Sequence, residues 1–248
     1  MPGALELPAG IRAGFFDLNG VLTPADIHVT AWRDAMNEFL RQWEKVEGIE
    51  FESFDERTDY ALYIDGRRRE DGIREFLKSR HITLPETAAG ESAVFSVQGL
   101  SHTKEAMVRR LTAVNGVMSY QTSVRYIRGL LAVGIRCAVV SSSTTCDVVL
   151  QATGIGSLFD YVLDGVTARR EGLASKPEPD MYLAAAMALS VSPAESAVFE
   201  DAIAGVRAGR CGGFGWVVGI DRRGQAEQLR AAGADVVVRD LGELTLPA

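Results

Sequence analysis

Polar residues of four chemical kinds fall where apolar runs stop. Phe15-Phe16 runs into Asp17, Ile135 to Val140 into Ser141-Ser142-Ser143, and Ala197-Val198-Phe199 into Glu200-Asp201. Lys176 stands in the loop Ser175-Lys176-Pro177-Glu178-Pro179-Asp180, just ahead of a helical stretch. An aspartate at the end of a buried strand can attack a phosphoryl or alkyl centre, ligate a cation, or do both. Two acidic clusters at one sheet edge repel unless a cation bridges them, and a few carboxylates with room for water suit Mg2+. Lys176 would offset the charge of a nucleophilic carboxylate and of an incoming phosphate. Ser141 would donate to phosphate oxygens, helped by backbone N–H groups at the next helix start. Each residue also has an ordinary use. Asp17 and Asp180 can cap turns or helices, serines after a strand commonly cap helices, and Glu200-Asp201 can be surface acids. Their joint occurrence, in this order at strand ends, favours the chemical reading.

The elements that must carry these residues follow from the apolar pattern. From Asn115 onward strand and helix alternate, with strands expected at Ile135–Val140, Tyr161–Leu163, Ala197–Phe199, Gly215–Val218 and Ala234–Val238. Helical stretches such as Met181–Leu189 and Gln225–Ala232 intervene. Repeated units of this length predict an α/β fold, a doubly wound parallel sheet with helices on both faces. Such sheets place ligands at the carboxyl ends of their strands. Between the first and second strands the pattern changes. Trp32, Met36, Phe39 and Leu40 share a helical face, Asp71–Lys78 and Glu105–Leu111 are also helical, and no strong strand signal appears. The chain therefore divides into a Rossmann-like core of residues 1–25 and 112–248 and a small all-helical domain, residues 26–111, inserted after the first strand as a cap over the strand ends. Arg67-Arg68-Arg69, with Glu70 and Asp71 beside it, reads as a solvated face or loop, with a grip on phosphate as the sharper alternative.

The bulk numbers narrow the function classes. The 248 residues are 47% apolar and 24% charged, with no tract long enough to cross a membrane. Residues Met1 to Ile11 lack a basic segment followed by an apolar one, so no secretory signal is expected. Cys137, Cys146 and Cys211 lack metal-type spacing and read as reduced thiols of a cytoplasmic protein. A net charge of −7 argues against nucleic acid as a partner. An anionic substrate then needs positive charge from a metal, a lysine or helix N-termini.

In order along the chain, Asp17-Leu18-Asn19-Gly20-Val21-Leu22-Thr23, the strand ending at Ser141, Lys176-Pro177-Glu178-Pro179-Asp180 and Glu200-Asp201-Ala202-Ile203-Ala204-Gly205-Val206 resemble the four motifs of the haloacid dehalogenase superfamily. The resemblance covers essentially the whole length. The helical insertion, Tyr63-Ile64-Asp65-Gly66 and Asp164-Gly165-Val166 are similar to the β-phosphoglucomutase-like branch. The resemblance implies that Asp17 is the nucleophile and forms an aspartyl-phosphate while its other oxygen binds Mg2+. It further implies that Ser141 and Lys176 hold the phosphoryl group, that Asp201 with Glu200 completes the metal site, and that the backbone carbonyl of Asn19 is another ligand. Ser142 and Gly20 would line the substrate phosphate. His28 and Lys104 match more loosely the histidine and lysine used around the acid/base and the substrate phosphate; the His28 match needs a one-residue gap after Thr23. His81 and His102 read as surface or loop residues. The partner implied is a small phosphorylated metabolite.

The chain departs from the family pattern at Asn19, where relatives carry a second aspartate as general acid/base. An amide cannot exchange protons at neutral pH, and such help is worth ~10²–10⁴-fold in rate. Three explanations compete: a natural variant with weak or rerouted chemistry, through His28 for example; a deliberate alteration that stalls the reaction; or a pseudoenzyme that keeps phosphate binding. Pro24-Ala25, where relatives carry Asp-Thr, favours the first and third. A mutase needs the acid/base twice, so the expectation is a phosphatase acting on a small sugar-like phosphate. The alternatives are β-phosphoglucomutase and a phosphometabolite-binding pseudoenzyme. Dehalogenation needs no metal and is disfavoured by Glu200-Asp201; phosphonate cleavage through an imine on Lys104 is a further alternative.

Overall fold

The computed structural model describes residues 6–246; the first five residues of the stretch read for a secretory signal lie outside them. Chain contacts divide the molecule into two compact units, residues up to Pro24 with those from Val117, and Ala25–Gly116. The second boundary falls after Gly116, not after residue 111, because the last helix of the insertion runs unbroken to Asn115 before a left-handed glycine ends it. No helix among the described residues is long and apolar enough to cross a membrane.

The inserted unit contains helices α1 (Asp26–Glu47), α2 (Arg69–Ser79) and α3 (Val97–Asn115). Helix α1 buries Trp32, Ala35, Met36, Phe39 and Leu40, the stripe expected from their spacing, against Ile73, Phe76 and Leu77 of α2 and Val97 and Leu100 of α3. Ser96 starts α3 by accepting the Gly99 amide on its hydroxyl at 3.0 Å. A buried polar pair lies beside this apolar packing. Lys104 Nζ is 2.9 Å from His28 Nδ1 and 5.1 Å above the Trp32 ring, and both ionisable side chains are buried. Burial, then the charge of Lys104, pushes the His28 pKa well below its ordinary value; burial, then Arg69, does the same to Lys104.

The other unit is a six-stranded parallel sheet. Strands β1 (Ala13–Phe16), β2 (Arg136–Val140), β3 (Tyr161–Leu163), β4 (Ser196–Glu200), β5 (Trp216–Ile220) and β6 (Val236–Val238) lie in the order β3-β2-β1-β4-β5-β6. Helices α4 (Gln121–Ala132), α5 (Cys146–Thr153), α6 (Gly165–Arg170), α7 (Asp180–Ala188), α8 (Ile203–Cys211) and α9 (Ala226–Ala231) connect them. The chain winds outward from β1 to β3, then returns to β4 on the other side of β1, so the order reverses between β1 and β4.

Both faces of the sheet are covered, which is why its strands are apolar at nearly every position. Phe16, Cys137, Val139, Phe199, Trp216 and Val218 pack on one face with Ile127 and Leu130 of α4. Phe15, Val140, Val198 and Val217 pack on the other with Met181 and Tyr182 of α7. The parallel register sets Phe16 beside Phe199, with rings stacked at 4.4 Å and only 3° between planes. Tyr126 and Trp216 meet Phe199 edge-on at 5.7 and 6.1 Å.

Two measurements test this packing. Phe199→Ala would empty the centre of an aromatic cluster, at a cost of about 3–5 kcal/mol. A urea midpoint lowered by less than a third of that, at unchanged m-value, would show that the cluster does not hold the sheet together. The second concerns pH. Unfolding frees His28 and Lys104 to bind protons that the folded protein refuses, so stability rises with pH in the window between their lowered folded values and their ordinary ones. Lys104→Met should remove the alkaline part of that rise, leaving the part that His28 contributes as pH climbs toward its ordinary value. Urea melts from pH 5 to pH 9 that show the same slope in both proteins would contradict it.

Candidate active site

The register that pairs Phe16 with Phe199 also fixes what comes next. The Asp17 amide donates to the Phe199 carbonyl at 3.0 Å, extending the ladder one residue past β1. Alternation then sends Asp17 and Glu200 to the Phe15–Val198 face, and Asp201 follows in the bend after β4. Tyr182 on α7 meets Glu200 there, its hydroxyl donating to Glu200 Oε1 at 2.7 Å.

Lys176 reaches the same point from the loop before α7. Its ammonium donates to Asp17 Oδ1 at 2.7 Å, to Glu200 Oε1 at 2.5 Å and to the Val140 carbonyl at 3.1 Å, with no exposure to solvent. The loop is held in place by Asp180, whose Oδ2 accepts the Ala174 amide at 3.0 Å. Burial alone would discharge Lys176, but Asp17 and Glu200 outweigh it, and its pKa stands above the ordinary lysine value. The Tyr182 hydroxyl is pushed far up by burial and by the charge on Glu200, so it acts as a hydrogen-bond donor.

Two glycines let the carboxylates sit where they do. Gly20 has φ +90°, and a Cβ there would lie 1.9 Å from Asp201 Oδ2. A Cβ on Gly205 would lie 1.9 Å from Glu200 Oε1. Each position is closed to any side chain by an acid of the site. The turn after Asp17 is stitched by Leu22 N and Thr23 N to the Leu18 carbonyl at 2.9 and 3.0 Å, with Asn19 half-buried and bridged to Thr23. Ser123 Oγ donates to the Val21 carbonyl at 2.7 Å, tying that turn to α4.

One carboxylate oxygen from each of Asp17, Glu200 and Asp201 lies within 4.8 Å of the others. Three hard oxygen donors at that spacing fit a small divalent cation such as Mg2+. Ala202 N also donates to Glu200 Oε2 at 3.3 Å. Ser141 directly follows Val140, is buried, and accepts the Ser143 amide at 3.2 Å; Ser143 and Thr145 exchange a hydroxyl contact at 3.0 Å ahead of α5. Ser142 Oγ lies against Met181 Sδ at 3.8 Å, which turns that hydroxyl toward α7.

The sequence-based site residues thus fall in two sets. Asp17, Asn19, Gly20, Ser141, Ser142, Lys176, Glu200 and Asp201 belong to the sheet unit, whereas His28 and Lys104 meet each other inside the helical one. The solvated-face reading of Arg67-Arg68-Arg69 does not hold for Arg69. Its side chain is 10% exposed and bonds Ser101 Oγ at 3.2 Å and Glu105 Oε2 at 2.8 Å. His81 and His102 are exposed, His102 on α3. Four residues escaped the sequence reading. Tyr182 carries no motif signal. Arg222, Arg223 and Gln225 lie in the loop that Asp221 opens after β5, and the strand-end criterion applied to Asp17 and Ser141 would have pointed to that loop had the strand been read to Ile220 rather than to Val218. Arg222 Nε donates to the Gly20 carbonyl at 2.9 Å, Gln225 Nε2 donates to the Asp201 carbonyl at 2.7 Å, and Arg223 Nη2 pairs with Asp201 Oδ2 at 3.8 Å.

Residues 11–213 match the family described as haloacid dehalogenase-like hydrolase. A β-phosphoglucomutase of Mycobacterium bovis is 45% identical over 245 residues, 97% of this chain and 94% of that protein. A trehalose-phosphate phosphatase of Mycobacterium leprae is 35% identical over 127 residues, 50% of this chain and 28% of that protein. The crystal structure of β-phosphoglucomutase from Clostridium difficile shares the fold, with a TM-score of 0.71 and 23% identity over 95% of this chain and 93% of that one. The chain belongs to the haloacid dehalogenase-like hydrolase family.

Proposed function

We propose that this protein is a Mg2+-dependent phosphoryl-transfer enzyme of the β-phosphoglucomutase kind, acting on a sugar phosphate through an aspartyl-phosphate on Asp17. The observation that carries the reading is the buried Asp17–Lys176–Glu200 triad beside Asp201, at the point where strand order reverses. Asp17 attacks phosphorus; the Asp17–phosphorus bond forms, the bond to the sugar oxygen breaks, and that oxygen takes a proton from water. A second sugar hydroxyl then attacks the same phosphorus, gives its proton to water, and the Asp17–phosphorus bond breaks to regenerate the carboxylate. Lys176 keeps its charge throughout, orients Asp17 and offsets the charge gathering on the phosphoryl oxygens. Ser141 and Ser142 bind those oxygens with Gly20. Asp17, Glu200, Asp201 and the Asn19 carbonyl would hold Mg2+, and the ion would supply charge against the phosphate.

Isomerisation is preferred to the hydrolysis expected from Asn19 alone. A relative that matches nearly the whole chain is named a β-phosphoglucomutase, while a relative named a trehalose-phosphate phosphatase matches half of it. Asn19 weighs on both reactions, because its amide neither donates to the leaving oxygen as an acid nor takes the proton of the attacking hydroxyl. The chain as it stands is therefore expected to be slow.

With β-glucose 1-phosphate, Mg2+ and a sugar bisphosphate primer, Asn19→Asp should raise kcat/KM for glucose 6-phosphate formation by ~10²–10⁴-fold. If free phosphate accumulates in place of glucose 6-phosphate, the phosphatase reading is correct. Failure of both proteins to turn over would leave the phosphometabolite-binding reading. In the Asn19→Asp background, Asp17→Asn should remove activity altogether, and chelation of Mg2+ should return turnover to the no-enzyme rate. Undiminished turnover after chelation would rule out the metal.

A further inference from the structure

We infer that Arg223 is a fixed counter-cation of Asp201 that holds the metal affinity of this site low; this rests on the reading of Asp17, Glu200 and Asp201 as a Mg2+ site. The guanidinium Nη2 of Arg223 lies 3.8 Å from Asp201 Oδ2, the Asp201 side chain is 2% exposed, and the Arg223 side chain is 23% exposed. Asp201 Oδ2 and Arg223 Nη2 are themselves shielded from solvent, so water screens this pair weakly.

The loop that carries Arg223 is anchored on both sides. Asp221 Oδ1 accepts the Arg223 and Gln225 amides at 3.3 and 2.7 Å, and Gln225 grips the Asp201 carbonyl. Arg222 binds the carbonyls of Gly20 and Arg239 at 2.9 and 2.8 Å and stacks over the Tyr120 ring at 4.0 Å. Arg223 is thereby held beside the acid it faces. Three carboxylates set against Lys176 and Arg223 leave a single net negative charge for a cation to meet. Asn19, neutral where the family carries an acid, removes a charge that would otherwise deepen the attraction. A divalent ion sharing Asp201 with a guanidinium is repelled by it, and the ion pair and the metal weaken each other by the same factor.

The test is Mg2+ titration by calorimetry, with the Mg2+-induced rise in melting temperature as a second readout, on the unaltered protein and on Arg223→Gln, Arg223→Met and Arg223→Lys. Even with water-like screening, a unit charge at roughly 6 Å from a divalent ion changes affinity about tenfold. Arg223→Gln and Arg223→Met should therefore bind Mg2+ about tenfold more tightly, while Arg223→Lys stays within about threefold of the unaltered protein. Binding by the unaltered protein with no tightening in either neutral variant overturns the inference and leaves the metal reading standing. Equal tightening in Arg223→Lys also overturns it, because packing rather than charge would then be responsible. Absence of Mg2+ binding in all four proteins defeats the inference together with the metal site on which it rests.

Discussion

A lysine ammonium with no access to water is the constraint around which the sheet unit is built. Removing such a charge from solvent costs several kcal/mol, and only close, well-aligned acids offset it. Lys176 has two of them and a carbonyl, contributed by β1, β4 and β2. Three strand ends and the loop before α7 must therefore be in place together before the charge is satisfied. Buried ion pairs of this kind are seldom better for stability than apolar residues of the same size. Their value lies in a fixed charge distribution, set before any substrate arrives.

The sheet supplies the geometry with little help from specific polar contacts. Pairing Phe16 with Phe199 places Asp17 and Glu200 on one face, one residue beyond a tightly packed aromatic pair. Reversal of strand order between β1 and β4 keeps a helix connection from filling the space above them. Gly20 and Gly205 complete the arrangement by letting backbone stand where a methyl group would strike Asp201 or Glu200. The apolar core thus sets distances, and the missing side chains admit the acids.

The same unit carries two guanidinium groups whose roles differ although they are neighbours. Arg222 is spent on backbone carbonyls, the Asp240 carboxylate and a tyrosine ring, and so fastens the β5 loop to the turn after Asp17. Arg223 faces a carboxylate of the site. In the helical unit, Lys104 and His28 illustrate the opposite case. There a buried amine has an imidazole and an indole for neighbours instead of acids, so burial drives its proton affinity down where the acids around Lys176 drive affinity up.

Much of this was legible in the residues alone. Continuous apolar runs ending in Asp17, Ser141 and Glu200 identify buried parallel strands and the edge where they stop, because period and length are local properties. The stripe of Trp32, Met36, Phe39 and Leu40 identifies α1 for the same reason. Asn19 was visible as a departure without coordinates, since it is a change of residue type within a motif. The full extent of α3 was not legible, because its last residues, Ala113 to Asn115, are exposed and add nothing to the apolar stripe. Nor were the partners of Tyr182, Arg69 and Arg223. Each meets a group far away in the chain, Glu200, Glu105 and Asp201, and a contact of that kind exists only once strand order, register and helix packing have brought the two ends together.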